Sequence, residues 1–208
     1  MGRYVGAKCR LCRREGAKLF LKGSRCTTGK CAFERKNYQP GQHPHSRTKT
    51  SDYGMQLREK QKAKRIYGLF EQQFKNYFKK AAKTKGVTGE LLLQFLERRL
   101  DNVVYRACFA SDRTHARQIV SHGLIKVNGR RVTIPSFLVK EGDKIQPNIS
   151  GEKLEKMKKN IEQQKERGCP NWLQADFDNL AITIVKLPQR EDVGFPIKEH
   201  MIVELYSK

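Results

Sequence analysis

Apolar residues recur at three- and four-residue spacings from Leu69 to Ala81, taking in Leu69, Phe70, Phe74, Tyr77, Phe78 and Ala81. That period predicts an amphipathic helix over residues 69–83, stopped at Gly86, with the aromatic stripe as its core face. Tyr53–Arg65 before it is strongly helix-favouring, with Ser51 or Asp52 as cap and Gly68 as the break between the two. After Gly86 the helical period resumes. Thr88 opens a helix with Leu91, Leu92, Phe95 and Leu96 inward, and a short helix runs from Asp101 to about Cys108. Ser111 or Asp112 caps a further helix over 113–122, which Gly123 closes in the left-handed region.

Beyond Gly123 the period shifts from helical to alternating. Leu124–Val127, Arg131–Ile134 and Lys144–Pro147 read as strands, with Asn128-Gly129 as a two-residue hairpin turn between the first two. A charged helix is expected over 151–167, a strand over Leu180–Leu187, and a last helix over Pro196–Tyr206 with Ile197, Met201, Ile202 and Leu205 on one face. The last helix is expected to return and pack on the aromatic helix at 69–83. Residues 1–50 show little periodicity and read as irregular and cross-linked rather than as helices or strands. The predicted class is α+β, mostly helical. Its parts are a metal-bound N-terminal segment at 1–50, a helical domain at 51–90 and 188–208, and an inserted unit at 91–187 of helices on a small antiparallel sheet.

Charge then narrows the function. The chain of 208 residues carries a formal charge of +22. Residues 1–50 and 51–150 each contribute +11, and residues 151–208 contribute none. Such an excess repels itself unless a polyanion neutralises it, so nucleic acid is the first candidate partner, met through the first 150 residues. No apolar run approaches the roughly 20 residues of a membrane span, and the N-terminus has no apolar signal core, so a cytoplasmic location is expected. No phosphate-cradling glycine loop or nucleophile–base pattern is readable, and neither an enzymatic role nor a small-molecule substrate is expected.

Basic residues concentrate between Leu96 and Gly129 and just past it. Arg98, Arg99, Arg106, Arg113 and Arg117 occupy helix positions, and Lys126, Arg130 and Arg131 the hairpin. They are read as phosphate donors on an outward face, since arginine forks two hydrogen bonds to one phosphate. His122 and Asn128 add polar contacts beside the glycine corner. A second basic set, Lys60, Lys62, Lys64 and Arg65, sits on the helix at 53–65 and is also expected on RNA. Tyr38 and Tyr53 are candidates to stack on nucleotides. Arg3, Arg13, Arg14, Gln42, His43, Arg47 and Lys49 complete the candidate contacts of the N-terminal part.

Cys9, Cys12, Cys26 and Cys31 form two close pairs joined by a loop, which is the arrangement that four tetrahedral thiolates need. The set suits structural Zn2+, and a four-cysteine iron–sulfur cluster uses the same ligands. Four cysteines leave no open coordination position for catalysis. Cys108 reads as a small core residue, and Cys169 as a loop residue without an evident partner.

The stretch RRLDNVVYRACFASDRTHARQIVSHGLIKVNGRRV resembles the RNA-binding module named after ribosomal protein S-four. NYQPGQH at 37–43, SDYGMQLREKQKAKRIYG at 51–68, TGELLLQFLERRLDNVVYR at 88–106 and HMIVELYSK at 200–208 extend the resemblance to the S-four family of small-subunit ribosomal proteins over nearly the whole chain. The four-cysteine set resembles the zinc-bearing bacterial or organellar form. The resemblance implies a primary binder of 16S rRNA, at a multi-helix junction of its 5′ domain, that nucleates assembly of the subunit body. It also implies a place beside ribosomal protein S-five, as a monomer within the ribosome. Contact with mRNA in the channel that admits it, through the segment holding Arg47 and Lys49, is implied too. So are an influence on decoding accuracy and, in some members, repression of translation of their own operon.

Overall fold

The computed structural model describes residues 2, 4–44, 51–164 and 167–207. The candidate residues Arg3, Arg47 and Lys49 lie outside that set. The fold is mostly helical α+β with one small antiparallel sheet, and it divides into two compact units, Met1–Leu92 with Phe195–Lys208, and Leu93–Gly194.

The first unit holds helices α1 (Lys8–Glu15), α2 (Ala32–Arg35), α3 (Asp52–Ile66), α4 (Glu71–Lys83), the start of α5 (Thr88–Glu97), and α9 (Glu199–Tyr206). Ser51 caps α3 by accepting from the Gly54 amide at 3.2 Å, which satisfies one of the orphan donors of a helix start. The period reading of α4 holds at Phe74 and Ala81, which are fully buried. Its N-terminal neighbour Phe70 is 48% exposed and stands outside the core. The reason is that the helix begins only at Glu71, so Phe70 is the extended residue before it and escapes the helical stripe. Tyr206 of α9 stacks on Phe78 at 4.6 Å and on Phe74 at 6.4 Å between ring centroids. The last residue of the C-terminal helix thus reaches the aromatic helix, while the body of α9 lies along α3 rather than on the helix at 69–83 as expected. Gln56 donates to Glu204 at 2.8 Å and Lys62 to the Pro196 carbonyl at 2.7 Å, which fixes α9 along α3. Gly89 is required where α5 starts, because a Cβ there would sit 2.8 Å from Glu199 Cγ.

The N-terminal segment is more ordered than its sequence suggests. α1 forms because Lys, Arg and Leu are good helix formers, and it ends at Gly16 in the left-handed region, φ 63°. Cys9 and Cys12, three apart, share a helix face, and that face replaces the apolar stripe a period search looks for. Glu15 on α1 has a side chain only 1% exposed and pairs with Arg65 and, at 3.3 Å, with Arg58 of α3. Burial pushes its carboxyl up from the usual range, against the pull of Arg65 and Arg58.

Glu71 collects Lys60 at 2.7 Å, Lys64 at 2.9 Å and the Tyr206 hydroxyl at 2.8 Å. Partial burial alone would raise its pKa, but these three donors outweigh that and hold it at about 2, well below the ordinary 4.5. A folded-state pKa below the unfolded one gives stability that is present above pH 4.5 and lost as pH falls toward 2. Glu71→Gln is therefore expected to cost about 1 kcal/mol at neutral pH, since the side chain is 46% exposed and solvent screens the pairs. Thermal melts of the variant should converge with wild type between pH 4.5 and pH 2. A constant gap across that window would remove Glu71 from the account.

The second unit contains the rest of α5, α6 (Leu100–Arg106), α7 (Arg113–Ser121), β1 (Ile125–Val127), β2 (Arg130–Arg131), β3 (Lys144–Pro147), α8 (Glu152–Gln164), β4 (Leu173–Asp176) and β5 (Ala181–Ile184). The strands lie in the order β2-β1-β3-β5-β4, every neighbour antiparallel. Asp112 caps α7 by accepting from the Thr114 and His115 amides at 2.8 and 3.1 Å. Val103, Val104, Phe109, Val120, Ile125, Ile145, Trp172 and Ile182 form the core, with Met157 and Ile161 of α8 packed on it. Strand β4 is absent from the sequence reading. Its four residues pair throughout with β5, but Leu173-Gln174-Ala175-Asp176 is too short and too weakly apolar to show a period. Cys169 also gains a neighbour: Cys108, buried at φ 66°, has its Sγ 3.7 Å from the Gly168 carbonyl. Burial, then the nearby Cys108, push the Cys169 thiol up to about 11.

Candidate nucleic-acid interface

The hairpin at one edge of the sheet brings together Lys126, Arg130 and Arg131 of the second unit. Asn128 and Gly129 have φ 50° and 78°, the two positive values that a tight primed turn demands. Lys126 faces Arg131 in register and Val127 faces Arg130. Arg130 and Arg131 are exposed and Lys126 is half-buried, and none of the three pairs with a carboxylate among the described residues. The Asn128 side chain turns inward. Its Nδ2 donates to Asp143 at 2.9 Å and its Oδ1 accepts from the Lys144 amide at 2.8 Å, which anchors the turn to β3.

Gly123 explains how Arg131 is held. It has φ 71°, and a Cβ there would lie 2.0 Å from Arg131 Nε. The guanidinium therefore lies across the glycine and donates to the His122 carbonyl at 3.3 Å. Exposed His122 completes the corner. Lys140 and Lys144, both exposed, flank the start of β3 and extend the cationic edge. Their place beside the hairpin follows from the register, since Lys144 precedes Ile145, which pairs with Val127.

The helical arginines are placed differently from the outward face expected of them. Arg99 is fully buried and forks onto Asp101, Nε to Oδ1 at 3.0 Å and Nη2 to Oδ2 at 2.8 Å. Arg117, 8% exposed, lies 3.8 Å from the same carboxylate. Arg113, also 8% exposed, donates to Asn102 Oδ1 at 2.8 Å and stacks over the Tyr105 ring at 4.3 Å. Arg106 donates to the buried Glu97 at 3.0 Å and to the Asp192 carbonyl at 2.6 Å. Arg98 donates to the Val139 carbonyl at 2.9 Å and lies 5.9 Å from the Phe95 ring. These side chains knit α5, α6 and α7 together. The physical reason is that Glu97, Asp101 and Asn102 are themselves buried and need charged donors. On α3, Lys60, Lys64 and Arg65 are engaged by Glu71 and Glu15, and Lys62 pairs with Glu59 at 3.3 Å.

In the N-terminal segment Arg13 donates to the Tyr38 and Gln39 carbonyls at 2.9 and 3.3 Å and lies over the Tyr38 ring at 4.6 Å. Arg14 donates to Gln39 Oε1 at 2.9 Å. Gln42, His43 and Tyr53 are exposed. Cys12, Cys26 and Cys31 are buried and Cys9 is half-buried. Burial pushes the Cys12 thiol up, and negative charge on Cys26, Cys9 or Cys31 would push it further. The four sulfurs thus share one neighbourhood, although no three His, Cys, Asp or Glu side chains among the described residues converge as a metal-holding group. Leu19 is the one other buried apolar side chain among the described residues up to 44. A segment with so small a core fits a donor set that cross-links it.

Two family models match the chain. One described as ribosomal protein S4/S9 N-terminal domain covers residues 3–97, and one described as S4 domain covers residues 98–145. Proteins named small ribosomal subunit protein uS4 are similar over 208 residues, 100% of both chains. The identity is 58% for that of Thermodesulfovibrio yellowstonii, and 57% for those of Oleidesulfovibrio alaskensis and Acetivibrio thermocellus.

Proposed function

Because the chain belongs to the uS4 family of small-subunit ribosomal proteins, we propose that it is a structural, rRNA-binding constituent of the small ribosomal subunit. Its part is binding, not catalysis, and its place is the cytoplasmic ribosome. It acts as a primary binder of the 16S rRNA 5′ domain, as a monomer beside ribosomal protein S-five. Its N-terminal part reaches the mRNA channel, and the pair with S-five tunes decoding accuracy. The observation that carries RNA binding is the cationic hairpin edge, where Lys126, Arg130 and Arg131 stand together with no ion-pair partner among the described residues. Phosphate donors on a rigid edge read the shape of a folded RNA rather than its bases, as recognition of structured RNA requires.

Filter binding to a transcript of the 16S 5′ domain tests the proposal. Nanomolar affinity is expected, with log affinity falling steeply and linearly in log salt. Equal affinity for an unrelated RNA of the same length at physiological salt would overturn it.

We also propose that Cys9, Cys12, Cys26 and Cys31 hold one structural Zn2+, with an iron–sulfur cluster as the competing occupant. The metal would supply the cross-link that Leu19 alone cannot. Native mass spectrometry of protein purified from its own host is expected to show one zinc per chain. Removing it with a chelator should open residues 4–44 to protease while residues 93–194 stay resistant. A visible charge-transfer band with bound iron would favour the cluster, and metal-free protein with the same protection would end both readings.

A further inference from the structure

The first unit carries a row of lysines to which nothing above assigns a role. Lys75, Lys79 and Lys83 recur every fourth residue along α4, and all three are exposed. Residues four apart share one side of a helix, and this side lies opposite the arc that buries Phe74 and Ala81. None of the three has an ion-pair partner among the described residues. The one carboxylate on α4, Glu71, is already taken by Lys60 and Lys64 of α3.

Helix α8 provides an internal comparison. It has the same 13 residues and an exposed charged face. There, however, Glu152, Glu155 and Glu162 alternate with lysines, and Glu152 lies 3.7 Å from Lys156 one turn on. That is the pattern of a helix that faces solvent and nothing else. On α4 the one-turn neighbours are lysine on lysine, and each such like-charged pair destabilises an isolated helix. Lys80 and Lys83 in the last turn recover part of this against the negative end of the helix dipole. Lys75 and Lys79 lie too far from that end to do so. A face that repels itself in the free protein, and whose neighbouring carboxylate Glu71 is engaged by Lys60 and Lys64, is suited to a polyanion.

We propose that the exposed face of α4 is a second RNA-docking surface, on which Lys75, Lys79 and Lys83 lie along the phosphate backbone of one rRNA strand. This rests on the rRNA-binding reading above. The rise of an α-helix places the three ammonium groups roughly 6 Å apart, on the scale of successive phosphates. Their single point charges on flexible stems suit backbone contact rather than base recognition. The surface holds RNA; the choice of sequence lies elsewhere.

The test uses the full chain and the 16S 5′-domain transcript. Lys75→Gln/Lys79→Gln/Lys83→Gln is expected to weaken binding about tenfold or more near physiological salt, with a salt slope shallower by about 2–3, one counterion fewer per lost contact. The comparison variant Lys156→Gln/Lys158→Gln/Lys159→Gln removes the same charge from α8 and should shift affinity less than twofold. Circular dichroism melts should show the α4 variant as stable as wild type or slightly more so. Equal losses in the two triple variants would overturn the proposal by reducing it to net charge, and so would an unchanged slope in the α4 variant. Failure of the unmodified chain to bind the transcript selectively would instead overturn the rRNA reading itself.

Discussion

Asp101→Ala is expected to lower the unfolding free energy by about 3–5 kcal/mol, enough to leave much of the population unfolded at moderate urea. The carboxylate is 4% exposed and receives the fork of Arg99, which is itself wholly buried, with Arg117 close by. Its removal takes from the buried Arg99 guanidinium the carboxylate on which it forks. The loss belongs to folding and not to RNA binding, because the residue has almost no surface to offer a ligand. Urea denaturation followed by circular dichroism measures it. The double variant Arg99→Met/Asp101→Leu should recover a large part of the loss, since removing both charges removes the unpaired one. A loss under 1 kcal/mol in the single variant would mean that the pair is not the tie the geometry describes.

The second large effect is expected on RNA affinity. Lys126→Gln/Arg130→Gln/Arg131→Gln should weaken binding to the 16S 5′ domain about 100-fold, or about 2.7 kcal/mol, and should flatten the salt slope by about 2–3. The fold should survive, because Arg130 and Arg131 are exposed on a two-residue edge strand and bury no apolar group. Arg131 also spans Gly123, so its loss frees the glycine corner without leaving a buried charge. Electrophoretic mobility shifts at several salt concentrations measure both quantities. An unchanged affinity would move the recognition surface off the hairpin.

These two results set apart residues that look alike along the chain. Arg99 and Arg131 are both arginines in a basic run, and periodicity cannot tell them apart. What separates them is a third dimension: Asp101 folds under Arg99, whereas Arg131 pairs with no carboxylate among the described residues. Signals local in the chain were legible. The Asn128-Gly129 turn, the Asp112 cap and the buried Phe74 and Ala81 each depend on a few neighbouring residues. Signals that depend on partners far along the chain were not. Lys60 and Lys64 converge on Glu71, and Glu15 receives Arg58 and Arg65 from more than 40 positions away. Helix α1 was hidden because cysteines occupy its inward face, and β4 because four residues make no period. The exposed lysines of α4 carry no period of their own, since on an amphipathic helix charged residues opposite the apolar stripe are what solvent alone would produce.

Strand β2 has a consequence before any RNA is bound. It is only Arg130 and Arg131, and it forms an outer edge of the sheet with backbone donors and acceptors unpaired on its far side. An open edge of that kind invites a second chain to add a strand. Two adjacent positive charges on so short a segment repel an identical edge and leave little length for pairing. The arginines suited to phosphate thus also disfavour edge-to-edge pairing of two copies of the chain.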